Sequence, residues 1–174
     1  MYWRMLAYNG AQFFFTIVLA LLIGAVFFGF GRNQASQQQV VNVMGALYTT
    51  ALFLGWSNLA SIQPVLAVEQ VIYYRECGAG MYGPVPYALA QGIIELPYIM
   101  VQSVLYSLIT YAMIQLKWTT GKFFWYLLFQ FLMLLYFTCF CMMAVAVTPV
   151  EGLDMLLSAF VYSLWNLLCG FLLP

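Results

Sequence analysis

The sequence predicts an all-α integral membrane protein, a polytopic bundle of helices, and three observations carry that prediction. Of its 174 residues 66% are hydrophobic and 6% charged, against roughly 45–50% and about 25% in a water-soluble domain. Five Lys and Arg balance five Asp and Glu, and there is no histidine. The charges also stand far apart, leaving uncharged runs close to the roughly 20 apolar residues that a bilayer-spanning helix needs. A soluble enzyme is excluded by the first observation. A nucleic-acid binder is excluded by the second, because nothing forms a basic footprint.

Five spans follow from the uncharged runs, at about 8–30, 40–64, 86–115, 123–147 and 155–173. The first, centred on Phe13–Phe30, exceeds the 7–15-residue apolar core typical of a signal peptide and is read as a retained helix. A polar connection, Gly31-Arg32-Asn33-Gln34-Ala35-Ser36-Gln37-Gln38-Gln39, separates it from the second, which is long enough to cross with a tilt. Residues 65–85 form the longest interruption, an amphipathic start followed by glycines and prolines. The third span contains Glu95 and Pro97, and the proline favours a kink because it removes a backbone donor. Trp118, Trp125 and Tyr126 suit an interfacial belt around the start of the fourth. The fifth follows a short turn holding Pro149 and Gly152 and runs to the last residue, Pro174. With so little sequence outside the first and last spans, a fragment of a longer chain is expected. Orientation is not decided by charge: Arg4 and Arg75 fall on one side, Arg32, Lys117 and Lys122 on the other.

No catalytic constellation is present. The sequence has no Ser/His/Asp set, no HExxH, no GxxxxGK[ST] phosphate loop and no CxxC, so this segment does not hydrolyse ATP by itself and offers no metal site. The most telling polar group is Glu95, since an ionised acid at the centre of a span costs about 2.5–3.5 kcal/mol on insertion scales. Tyr87, Gln91, Glu95, Tyr98 and Gln102 follow one helical face. Two readings of this stripe stand: a polar relay that responds to movement elsewhere, and a buried hydrogen-bond network that fixes packing. Weaker stripes, Thr50, Ser57, Asn58 and Ser61 on the second span and Ser158, Tyr162, Asn166 and Cys169 on the fifth, suit either a loose cavity for large amphipathic molecules or interhelical bonding. Within 65–85, Glu69, Arg75 and Glu76 could dock a separate motor domain or belong to an ordinary interfacial helix.

Several strings together resemble one family. Met44-Gly-Ala-Leu-Tyr, Gln63-Pro-Val-Leu-Ala-Val-Glu69, Tyr73-Tyr-Arg-Glu76, Ala79-Gly-Met-Tyr82, Ile94-Glu-Leu-Pro-Tyr98, Lys122-Phe-Phe-Trp-Tyr126, Trp165-Asn-Leu and Gly170-Phe-Leu-Leu-Pro174 are similar, in order, to the second membrane domain of pleiotropic-drug-resistance ABC transporters, the full-size G-subfamily exporters, in their plant-type wording. The resemblance implies a type II exporter fold with about five of its six spans present, a cytosolic N-terminus, and 65–85 as a cytosolic coupling region in which Glu69, Tyr74, Arg75 and Glu76 receive the motion of the motor. It implies a nucleotide-binding domain before Met1 and a sixth span after Pro174. Membrane lipid, the nucleotide-binding domains, the other membrane domain of the same transporter and an amphipathic small-molecule substrate are the implied partners, ATP and Mg the cofactors of the full-length protein alone, and the plasma membrane the address.

The resemblance further implies a drug-binding cavity between the second and fifth spans beneath an apolar plug, and Gly170-Phe171-Leu172 resembles that plug. Ser57, Asn58 and Asn166 are the cavity candidates taken from the stripes. Cys77 and Gln70 stand where relatives usually carry basic residues. The function expected is the permease portion of an ATP-driven exporter working by alternating access; the competing reading is a non-transporting membrane scaffold or a degenerate transporter fragment. An intramembrane enzyme would have Glu95 alone to work with.

Overall fold

The computed structural model describes residues 6–31, 37–81, 83–116, 119–148 and 152–168. They form five helices: α1 Leu6–Val26, α2 Gln37–Gly78, α3 Pro84–Ile114, α4 Thr120–Val147 and α5 Leu153–Leu168. Among the described residues α2, α3 and α4 are long and apolar enough to cross a membrane, and the apolar stretches of α1 and α5, Gln12–Val26 and Leu153–Leu168, are shorter. Where the sequence divides a span at 40–64 from a polar region at 65–85, the structure has one continuous helix through Pro64 to Gly78. Its 42 residues rise about 63 Å at 1.5 Å each, roughly twice the hydrocarbon core. The stretch carrying Glu69, Arg75 and Glu76 is therefore the C-terminal part of the same helix. Helix α3 likewise runs on through Pro97.

The end of α2 has a physical cause. Gly80, at φ 72°, takes the left-handed conformation open to glycine at no steric cost. Its N–H donates to Cys77 O at 3.0 Å while the Met81 N–H donates to Glu76 O at 3.2 Å, the paired bonds of a Schellman cap. Pro84 then opens α3, where its missing N–H costs nothing.

The chain divides into two compact units, residues 1–57 with 98–134, and 58–97 with 135–174. In the first, Ala20, Leu54, Ile99, Tyr106 and Leu134 form a buried cluster, with Leu19, Ile109 and Phe131 packed against it. Burial of such side chains stabilises by about 1.5–3 kcal/mol each in water, but between lipid-solvated helices the gain comes from close packing and from hydrogen bonds. Tyr106 Oη donates to Thr50 O at 3.0 Å, and Gln102 Nε2 donates to Thr16 Oγ1 at 3.0 Å. Beyond α1 the chain is clasped to the end of α3: the Gly29 N–H donates to Met113 O at 3.3 Å and the Gly31 N–H to Ile114 O at 2.9 Å. A Cβ on Gly31 would stand 2.9 Å from the Ile114 and Gln115 carbonyl oxygens, so this approach requires glycine. Phe14, Phe15, Leu22, Phe124, Trp125 and Phe129 are exposed, as lipid-facing side chains must be.

In the second unit polar side chains join the helices. Asn58 Nδ2 donates to Thr138 Oγ1 at 3.1 Å, and the Cys141 thiol reaches the Leu59 carbonyl at 3.9 Å. Gln63 Nε2 donates to Asp154 O at 3.0 Å and to Ser158 Oγ at 2.7 Å. Trp165 packs edge-on against Phe137 at 5.8 Å and tilted against Tyr136 and Phe140 at 4.8 and 5.3 Å.

Candidate functional site

The polar stripe of α3 faces inward along its length. Glu95, Gln102, Ser103, Ser107 and Thr110 are buried, Glu95 with 4% of its surface exposed, and Tyr87, Gln91 and Tyr98 are half-buried. This is the 3.6-residue periodicity expressed as one face. The stripe is shared between the two units, with Gln91 and Glu95 in the second and Tyr98 and Gln102 in the first.

Gln91 makes the contact that matters most for the polar end of the second unit. Its Nε2 donates to Glu69 Oε2 at 3.2 Å, tying the C-terminal part of α2 to the first turns of α3. Burial, reinforced by the Glu95 carboxylate, pushes the Glu69 carboxyl above its ordinary range. Tyr87 stacks on Tyr73 with ring centroids 4.4 Å apart. Glu69, Gln91, Tyr87 and Tyr73 thus form one local group at the junction of α2 and α3.

The remaining coupling candidates stand at its edge. Tyr74 is exposed and its hydroxyl accepts from Gln70 Nε2 at 3.3 Å. Arg75 is exposed and Glu76 half-buried, so Arg75 presents its guanidinium outward from the last turn of α2. A cation there is favourably placed against the negative end of the helix dipole.

The cavity candidates are not gathered into one place by the described residues. Ser57 belongs to the first unit and Asn58 to the second. Asn58 is buried on Thr138, and Asn166 Nδ2 donates to Tyr162 O at 2.9 Å within its own helix. Phe171 and Leu172 lie outside the described residues. So does Cys169 of the fifth-span stripe.

Among the polar groups that escaped the sequence reading, two meet at the start of α5. Gln63 is 1% exposed and Asp154 5%; the Gly152 N–H donates to Asp154 Oδ1 at 2.9 Å, a carboxylate reaching back to the start of its own helix as in a capping box. Gln63 joins α2 to that same first turn of α5. The available signal was an amide beside Pro64 inside an apolar run, and an acid placed two residues after Gly152 in a short turn. No group of three His, Cys, Asp or Glu that could hold a metal ion occurs among the described residues.

Comparison with known proteins gives consistent matches over the whole chain. The family model described as ABC-2 type transporter matches residues 1–174. The chain is 48% identical over 173 residues to ABC transporter G family member 53 of Oryza sativa subsp. japonica. It is 49% identical over 173 residues to pleiotropic drug resistance protein 1 of Nicotiana tabacum and to ABC transporter G family member 40 of Arabidopsis thaliana. Each match covers 99% of this chain and 12% of the relative, so the chain spans about an eighth of the length of these proteins.

Proposed function

Because the chain belongs to the ABC-2 type transporter family, we propose that it works as the permease portion of an ATP-driven exporter, moving amphipathic small molecules across a membrane by alternating access. The observation that carries this reading is the uninterrupted α2 of Gln37–Gly78. This helix, about 63 Å long, carries Glu69, Arg75 and Glu76 toward its C-terminal end. A push delivered there reaches the first turns of α3 through the Glu69–Gln91 bond at 3.2 Å. In this reading the N-terminus and residues 65–85 are cytosolic, the plasma membrane is the address, and the other membrane domain of the same transporter and its nucleotide-binding domains are the partners of these 174 residues.

ATP and Mg are implied for the full-length protein, and the described residues do not fit them: they hold no metal cluster and the sequence has no phosphate loop. This chain's part is mechanical. Glu69, Tyr74, Arg75 and Glu76 would receive the motor domain, Gln91, Glu95, Tyr98 and Gln102 would convey the displacement along one face of α3, and Ser57, Asn58, Asn166, Phe171 and Leu172 would belong to the cavity and its plug. The drug resistance in the name of one relative supports a substrate class of amphipathic xenobiotics.

The test is accumulation of an amphipathic fluorescent dye in efflux-deficient cells that express the intact gene. Accumulation below that of cells with an ATP-site-dead version is expected. Equal accumulation, with the protein correctly inserted, would return the chain to the scaffold reading.

A further inference from the structure

We propose that the second unit carries a binding site for small, flat, uncharged aromatic amphipaths, formed where the ends of α2 and α4 meet the start of α3 and separate from the cavity candidates Ser57, Asn58 and Asn166. A cavity of about 420 Å³ lies there, within the roughly 300–1,000 Å³ usual for small-molecule sites. Its lining combines three tyrosines, Tyr73, Tyr74 and Tyr87, with the amides of Gln70 and Gln91 and an aliphatic part that includes Leu66 and Met142. The Tyr73 and Tyr87 rings are stacked at 4.4 Å and 27°, which fixes two aromatic faces in place. Met142 offers a polarisable, adaptable thioether.

The chemistry of the lining selects the ligand. Tyrosine faces favour a planar ring, the amides favour one or two hydrogen-bonding groups, and among the described residues no Lys, Arg, Asp or Glu lines the cavity. An ionised ligand would lose its hydration without meeting an opposite charge. An aryl ketone, aryl amide or neutral phenolic of two or three rings satisfies all three conditions.

The site also has a built-in consequence. Gln91 lines the cavity and donates to Glu69 Oε2 at 3.2 Å. A ligand carbonyl that takes this amide competes with Glu69, so occupancy loosens the tie between α2 and α3. The site itself stands on the cavity and its lining, independently of the exporter reading.

Photolabelling of the full-length protein in lipid nanodiscs with benzophenone, a neutral diaryl ketone, tests it, with adducts mapped by mass spectrometry. Labelling is expected to saturate and to concentrate at Met142 and Leu66. It should fall about tenfold, the equivalent of 1.4 kcal/mol of binding, when Ala88→Trp fills the cavity or Tyr73→Leu removes the stacked ring. The anionic 4-benzoylbenzoate should give no saturable label at these residues. Two results overturn the proposal: labelling that grows linearly and marks the exposed Met44, Met100 and Met143 as strongly as Met142, or equal saturable labelling by the anion. Monodisperse elution of each variant verifies that it is folded, and Tyr73→Leu carries the test if Ala88→Trp does not elute as one species.

Discussion

The two units of this chain solve the problem of holding helices together in different ways. The first closes around an apolar cluster centred on Tyr106, and beside the side-chain pairs Gln102 with Thr16 and Thr110 with Tyr126 it uses bonds to backbone groups: Tyr106 to the Thr50 carbonyl, and the glycine N–H groups beyond α1 to the last carbonyls of α3. The second joins helix to helix by side chains, with Asn58 on Thr138, Gln63 on Ser158 and Gln91 on Glu69, and among the described residues it holds four acids, Glu69, Glu76, Glu95 and Asp154. Backbone bonds and close packing have few alternative arrangements. Side-chain amides and carboxylates can exchange partners at low cost, and a part that must change state needs such groups. The difference teaches where rigidity and movement are to be sought.

This contrast can be broken by substitution, and the largest effect belongs to the rigid unit. Gly31→Val sets a branched side chain against two backbone carbonyl oxygens 2.9 Å from the first added atom. Overpacking of this kind costs about 1–3 kcal/mol or more, so most of the detergent-stable protein should be lost in a thermal-aggregation assay. Retention of wild-type stability would show that the clasp is dispensable. Next is Gln63→Leu in the second unit, which removes two bonds at 3.0 and 2.7 Å for about 1–2 kcal/mol. Stability should fall less than for Gly31→Val, while transport per ATP in the full-length protein should fall more. The reverse ranking would erase the distinction between the units.

Arg75→Ala sharpens it further: the side chain is exposed, so stability should hold within about 0.5 kcal/mol while transport per ATP drops several-fold. Unchanged coupling would remove Arg75 from the motor contact. The smallest effect concerns pH. The Glu69 carboxyl is held above the ordinary carboxylate range, so between its unfolded and folded values the native state binds more protons than the unfolded one, and stability falls as pH rises through that window. Glu69→Gln should flatten the decline above the ordinary carboxylate value while leaving the Gln91 contact a hydrogen-bonding partner. An undiminished slope, followed by thermal unfolding across mildly acid to neutral pH, would place the titration elsewhere.

The helical membrane fold was legible because charge is scarce and its spacing marks the spans, and the inward face of α3 because Gln91, Glu95 and Gln102 repeat with the helix. The family was legible in ordered strings such as Tyr73-Tyr-Arg-Glu76. The continuity of α2 was not. Residues 65–85 read as an interruption, yet a helix interior can carry a proline such as Pro64 when neighbours satisfy the freed carbonyl, and Glu69 finds an amide partner in Gln91. Gln63 with Ser158 was equally hidden, because the partners are 95 residues apart and sequence periodicity carries only local information. The group around Glu69 was half visible: its acids and arginine stand out by charge, but the Tyr73–Tyr87 stack and the Gln91 bond exist only once α3 turns back along α2.

The glycine clasp bears on how the protein is made. The carbonyls at the end of a helix lack partners within it, and in hydrocarbon an unsatisfied peptide group costs several kcal/mol. At the end of α3 the Gly29 and Gly31 N–H groups supply partners for Met113 and Ile114, from a stretch synthesised two helices earlier. A ribosome feeding this chain into a membrane therefore delivers the donors long before their acceptors. The first helix must remain beside the insertion machinery, or return to it, until the third has emerged, and release of the early helix into bulk lipid would be an error in biogenesis that no later packing step easily repairs.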